Sequence, residues 1–309
     1  QYYGWQRNNF NRYNTLRQIG RMEAEAERLQ LENYKHLASF LKSVNILELT
    51  KVFGDVPYSE TMQTATGIYK PSYDNQEDIY IKVLDDLKSA NNGLDPAFGD
   101  ITGDVIYGGD ISKWKKLINS YSLRVLISLS AKTGNSRVNV ISRFQEIVNN
   151  PSEYPIFTSN EDNAALHFRD LVENRYPYFN NNNFQTAYYM EESFVDLLKA
   201  RKDPRLFVFA DQKPQAAGSP ETDFDAYGGL GGSDLLSDNT NRLVNGEASR
   251  VDARYYLDPV NEPSVLMGFA ELQFTLAEAA ARGWITSDAE VHYENGVRGS
   301  LEFYGISTE

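Results

Sequence analysis

Asp110-Ile111-Ser112-Lys113-Trp114-Lys115-Lys116-Leu117-Ile118-Asn119-Ser120-Tyr121-Ser122-Leu123-Arg124 is the stretch on which the fold turns. Asp110-Ile111-Ser112 leads into a helix expected over 113–132 and closed by Gly134, with Trp114, Leu117 and Tyr121 on one face at three- and four-residue spacing. A partner helix, about 137–149, ends at Pro151. Upstream, residues 22–52 read as one long helix. Tyr34, Leu37, Leu41 and Val44 supply its apolar stripe, and Phe53-Gly54 ends it. A loop follows from Asp55 to Tyr73, marked by Pro57, Gly67 and Pro71. Asp74 with Glu77 then forms a capping-box pattern for a helix whose face is Ile79, Val83, Leu84 and Leu87, and Asn91-Asn92-Gly93 stops it.

Downstream the character changes. Residues 151–263 hold most of the prolines, an Asn run at 180–183 and Gly-Gly-Leu-Gly-Gly at 228–232, with one convincing helix at about 190–201. This segment reads as a loop-rich insertion with a few short strands, and long irregular segments of this kind tend to carry function. Helices return at 264–282 and 287–304, the second opened by a Ser287/Glu290 capping box. The Trp114/Leu117/Tyr121 spacing is that of the first helix of a tetratricopeptide repeat, and it is equally that of an ordinary apolar stripe. The expected fold is mainly α: tetratricopeptide-like helical hairpins with a long irregular insertion. Within a single domain over 1–309, hairpins occupy 1–150, the loop-rich ligand-facing region 151–263 and a last hairpin 264–309.

Composition removes several classes. The chain has 309 residues, a formal charge of −13 and no cysteine, so disulfides, thiolate zinc sites, iron–sulfur clusters and cysteine nucleophiles are excluded. A pI near 4.8 argues against nucleic acid, whose binding needs Lys and Arg against phosphate. No apolar run approaches the roughly 18 residues of a membrane-spanning helix. Twenty Tyr, 16 Phe and 3 Trp stand beside only 3 His. That is a poor set for proton transfer and a good one for covering neutral, polar ligands.

The chemistry-bearing patterns are correspondingly thin. His36, His167 and His292 are scattered singly, with no His-Glu-x-x-His pair, and no Gly-x-Ser-x-Gly elbow is present. Neither a metal nor a cofactor is expected. The glycine run at 228–232 lacks the Lys-Ser/Thr of a phosphate loop and reads as a mobile surface loop. Among the 43 acidic residues, Asp223 and Asp225 are close enough to act as a glycosidase pair, and chance supplies such pairs readily. More informative is Asn174-Arg175-Tyr176-Pro177-Tyr178-Phe179-Asn180-Asn181-Asn182-Asn183-Phe184, with four aromatics and five amides and no helical period. An aromatic platform ringed by Asn and Arg suits the apolar face and hydroxyls of a sugar. An aromatic-anchored loop packed on helices is the competing reading.

Three stretches in order resemble the SusD/RagB family of Bacteroidota cell-surface lipoproteins. They are Phe53-Gly54-Asp55-Val56-Pro57-Tyr58-Ser59-Glu60, then Gly109 to Arg124, then Ala270-Glu271-Leu272-Gln273-Phe274-Thr275-Leu276-Ala277-Glu278-Ala279-Ala280-Ala281-Arg282-Gly283-Trp284-Ile285. The resemblance implies tetratricopeptide-like helix pairs with an irregular ligand-facing region. It also implies non-catalytic capture of glycans or other nutrients, delivered to a TonB-dependent outer-membrane transporter of the SusC type. The family's lipidated Cys and signal sequence, and its portion beyond Tyr304-Gly305-Ile306, are expected to lie outside this sequence. The N-terminal lipid anchor to the outer membrane would lie there too.

Trp114, Asn119, Arg124 and Trp284 are expected to be scaffold, Arg124 through a charge-assisted bond to a partly buried partner. Family members vary most at the ligand face, so site residues come from the loops: Tyr176, Tyr178, Phe179 and Asn181 first, with Tyr69 and Tyr227 as outside candidates. The leading expectation is an oligosaccharide-binding surface protein. A glycoside hydrolase using Asp223 or Asp225, and a helical-repeat scaffold that binds only protein, are the alternatives.

Overall fold

The computed structural model describes residues 9–63 and 67–308. Its helices begin with α1 (Arg12–Leu29), α2 (Glu32–Phe53), α3 (Gln76–Gly93), α4 (Ile111–Ser128) and α5 (Val140–Asn149). Then come α6 (Asn182–Thr186), α7 (Glu192–Arg201), α8 (Leu206–Phe209), α9 (Leu236–Val244) and α10 (Arg254–Leu257). The last two are α11 (Phe269–Ala281) and α12 (Ala289–Phe303). Two short strands, β1 (Ala164–Leu166) and β2 (Ser264–Met267), pair with each other. The chain is mainly helical, as expected. It forms two compact units, the first running to Ala164 and including Met267–Gly296, the second made of Ala165–Leu266 and the residues from Val297 onward.

In the first unit α4 is the central element. Trp114, Leu117, Ile118, Tyr121, Leu123, Val125 and Leu126 are all buried, so nearly its whole circumference is covered. It packs against α3, α5 and α11, while α2 lies against α1 and α3. Each fully buried large apolar side chain contributes about 1.5–3 kcal/mol. Asp110 caps α4, accepting from the Ser112 and Lys113 amides. Inside, Asn119 Nδ2 donates to Asn91 Oδ1 and to Pro155 O, each at 2.9 Å. Arg124 grips both oxygens of the Glu271 carboxylate, which ties α4 to α11. Trp284 is buried edge-to-face against Phe144.

Several boundaries differ from expectation, each for a local reason. The helix expected over 22–52 is two helices. Gln30 takes a left-handed conformation (φ 57°), and its amide turns back to the Ala26 and Glu27 carbonyls to end α1. Asp74 is not the cap of α3. Its carboxylate is held by the Tyr58 amide (2.7 Å) and by the Ser59 amide and hydroxyl, and Asn75 caps the helix instead. Ser287 does not cap α12 either. Its hydroxyl pairs with His292 Nε2, and Asp288 accepts from the Glu290 amide. Residues 264–267, expected to be helical, are β2. Residues 64–66 of the expected 55–73 loop lie outside the described residues.

The glycine run is not a loose loop. A Cβ at Gly229 would stand 2.5 Å from the Glu192 backbone, and one at Gly228 would stand 2.3 Å from the Glu247 carbonyl oxygen. Glycine is needed there because two backbones approach too closely for a side chain. The second unit's core gathers around this crossing, from Met190, Val195, Leu198, Leu206, Ala226 and Tyr227.

Gly93 shows the same device between α2 and α3. A Cβ there would fall 2.0 Å from His36 Cε1. Gly93→Ala gains up to about 1 kcal/mol of helix propensity and loses about 1–3 kcal/mol to overpacking. A lower thermal midpoint is expected, with recovery in the Gly93→Ala/His36→Ala double variant; a stabilised single variant would contradict this packing.

Candidate functional site

In the second unit, the 174–184 segment is pinned by its backbone. The Tyr176 amide donates to Pro259 O (2.7 Å) and the Asn180 amide to Tyr256 O (2.8 Å), while Asn180 turns the chain in a left-handed conformation. Between these anchors the chain does not stay extended as Pro177 led one to expect but turns over 177–180, the Phe179 amide donating to Tyr176 O (2.9 Å), and Tyr178 projects outward, 46% exposed. Five rings follow one another in a continuous series. Phe168 meets Tyr176 at 5.4 Å, Tyr176 meets Tyr178 at 5.7 Å, Tyr178 meets Phe184 at 4.9 Å and Phe184 meets Tyr188 at 5.4 Å. Most are edge-on, the favourable arrangement for aromatic pairs.

Tyr176, Tyr178 and Phe184 form one side of an open cleft of about 270 Å³, with Phe209, Val251 and Tyr255 opposite. Behind it lies a polar network. Tyr255 donates to Glu262 Oε1 (2.8 Å), Arg254 pairs with Glu262 (3.3 Å), and Arg254 Nε donates to Asn261 Oδ1 (3.0 Å). Burial, with Glu262 adding to it, pushes the Tyr255 hydroxyl well above the ordinary tyrosine range, and Tyr176 rises for the same reasons. Both phenols therefore stay protonated and neutral at physiological pH. The cleft surface is almost wholly apolar, made of ring faces and aliphatic groups, and is suited to stacking on the apolar face of a ligand.

The sequence-expected residues are divided by the structure. Tyr176 and Tyr178 come together in the cleft. Phe179 sits beside it, its ring under the Arg175 guanidinium at 5.1 Å, and Arg175 is held by Asp170 at 2.7 Å. Asn181 is a helix cap, its Oδ1 accepting from the Asn183 and Phe184 amides. Its work is to orient Phe184. Tyr227 is packed in the core, 2% exposed, with its hydroxyl donated to Glu221 O, so it offers no face to a ligand. Tyr69 belongs to the first unit and is 78% exposed. It lines a separate groove of about 600 Å³ between α1 and residues of 57–62 and 68–73.

Asp223 caps a short turn by accepting from the Asp225 amide, and Asp225 is exposed with Lys199 at 3.6 Å, so this pair is not an enclosed acid–base dyad. Phe168, Tyr188, Phe209 and Tyr255 escaped sequence reading. The adjacent rings of Tyr188-Tyr189 and of Tyr255-Tyr256 were the local signals available. Among the described residues there is no cluster of three or more metal-ligating side chains, and no helix long and apolar enough to cross a membrane.

The SusD-like family, described as starch-binding and associating with the outer membrane, matches residues 1–309. The chain belongs to this family. An outer-membrane protein of Bacteroides vulgatus described as involved in nutrient binding is 39% identical, with a TM-score of 0.86 over 97% of this chain and 65% of its own. A SusD homologue from Bacteroides fragilis is also 39% identical, with a TM-score of 0.85 over 97% of this chain and 64% of its own. A chitin-binding protein is 26% identical, with a TM-score of 0.73 over 97% of this chain and 64% of its own. This SusD-like chain therefore spans somewhat less than two thirds of the length of these structures. No curated protein matches it.

Proposed function

We propose that this SusD-like protein captures glycan at the outer membrane without cleaving it and passes it to a TonB-dependent transporter of the SusC type. The family's N-terminal lipid anchor would hold it at the cell surface. The observation that carries the reading is the ring series around Tyr178 beside an open cleft, in a family described as starch-binding with a chitin-binding structural relative. Tyr176 and Tyr178 are the stacking residues of this proposal. Phe179 and Asn181 hold them in place, through the Arg175 contact and the α6 cap respectively.

Isothermal titration against maltoheptaose, chitohexaose and a wider neutral glycan panel tests it. At least one member binds, and Tyr178→Ala weakens it about tenfold, or about 1.4 kcal/mol, as expected for an aromatic anchor. Unchanged glycan recovered after long incubation accords with non-catalytic capture, whereas released reducing sugar overturns it. A Tyr178→Ala variant that binds like wild type removes the cleft from the proposal. Co-purification with a SusC-type partner tests the delivery step.

A further inference from the structure

The groove of the first unit carries a different signature from the cleft. Its rim is tyrosine-rich, with Tyr69 and Tyr73 both more than half exposed, and the apolar Met62 and Pro71 line it as well. Met62 adopts a left-handed conformation (φ 60°) at this rim. For a non-glycine residue that is backbone strain of the kind that gathers at ligand sites. Into the same groove α1 projects Arg17 and Arg21, one helical turn apart.

The partners of these two cations differ from those of the arginines at either end of α1. Elsewhere on α1, Arg12 reaches Glu48 at 3.9 Å and Arg28 reaches Glu25 at 2.7 Å. Arg17 and Arg21 instead touch neutral amide oxygens, Asn14 Oδ1 and Gln18 Oε1, each at 3.3 Å. Among the described residues neither of these two exposed guanidiniums pairs with a carboxylate. The one carboxylate lining the groove, Glu60, is engaged by the Ser72 amide at 2.7 Å. Tyr13 donates to Pro57 O, and its hydroxyl is pushed up to about 12 by burial and by neighbouring Tyr73 and Asp74. It adds no negative charge.

A guanidinium presents a planar fork that matches a carboxylate. Side chains one turn apart on a helix start about 5–6 Å from each other, a spacing that lets each fork address a successive unit of a short acidic chain. The exposed tyrosine faces would cover the apolar sides of the same units. We propose that this groove is a second binding site, for an oligosaccharide bearing carboxylates, with Arg17 and Arg21 holding the acid groups and Tyr69 and Tyr73 the ring faces. The choice of a sugar rests on the glycan-binding reading above; the site and its charge selectivity do not depend on Tyr178.

Titration with a tri- to hexa-galacturonate, its methyl ester and maltoheptaose tests the proposal on the full chain. The acid form binds, weakens as salt rises, and loses about tenfold or more in affinity in Arg17→Gln/Arg21→Gln, while Tyr178→Ala leaves it unchanged. Tyr69→Ala weakens the acid form without altering its salt dependence. If neutral glycans fail while galacturonate binds, the cleft reading falls and this one stands. Equal affinity for the methyl ester, for an acidic peptide, or in the double Arg variant overturns it.

Discussion

Trp114→Ala is expected to destabilise the first unit by about 3–5 kcal/mol, the range for removing a large aromatic from a packed core. The indole is 5% exposed and lies edge-on to Tyr107 at 5.3 Å and against Phe40 at 6.0 Å. Its Nε1–H also donates to Asp104 Oδ2 at 2.8 Å. That carboxylate accepts in addition from the Ile106, Tyr107 and Gly109 amides, so it organises the turn leading into α4. Alanine would remove the packing and the fourth donor together. Trp114→Phe keeps an aromatic ring but loses the donor and part of the packed ring volume, and should cost less than the alanine variant, about 1–3 kcal/mol. Urea midpoints at unchanged slope measure both. Equal losses in the two variants would mean that the hydrogen bond, and not the ring packing, dominates.

Asp162→Ala should cost a comparable amount, about 3–5 kcal/mol, because it breaks a buried charge pair by removing one partner. Asp162 is 4% exposed. Both its oxygens lie 2.9 Å from Lys116 Nζ, and it also accepts from the Thr158 amide at 2.7 Å and the Thr158 hydroxyl at 2.9 Å. Burial alone would raise this carboxyl. The Thr158 and Lys116 donors outweigh it and hold the group below the usual aspartate range. A carboxyl depressed in the folded state adds stability above its unfolded value, about 3.9, and that stability is lost as pH falls through the folded value. The stability gap between wild type and Asp162→Asn is therefore expected to be full near pH 7 and to close below about pH 4. A gap that is constant with pH would show that Asp162 acts through shape alone.

The parts of the fold legible in sequence are those governed by neighbours along the chain. Asp110 and the Trp114/Leu117/Tyr121 stripe state a cap and a buried face within one segment, and α4 has both. The break between α1 and α2 left no such mark, because Gln30 enters a left-handed conformation without glycine. Asp74 looked like a cap because a capping residue and a carboxylate wanted by a distant turn are the same residue type; the Tyr58 and Ser59 amides claim it across the loop. Gly228 and Gly229 resembled flexibility when their reason is a backbone crossing at Glu192 and Glu247, which only the folded chain reveals.

The cleft divides along the same line. Tyr176, Tyr178 and Phe184 are near one another in sequence and could be read together. Their opposite wall arrives from two other segments, joined by the single bridge between Ala210 and Val251, with Arg250 likewise bridged to Tyr189. Isolated bridges carry no periodicity, so Phe209 and Val251 had nothing to announce them.

The pairing of β1 with β2 bears on how much the length of the segment between them can vary. The chain leaves the helical unit at Ala164 and rejoins it at Met267, and the two passages are hydrogen-bonded to each other as neighbouring strands. The ends of everything between them are thus clipped together about 5 Å apart, whatever lies beyond. Closing a longer or shorter segment between clipped ends changes the entropy only logarithmically with its length. Changes of length between these strands are therefore expected to cost little in loop-closure entropy.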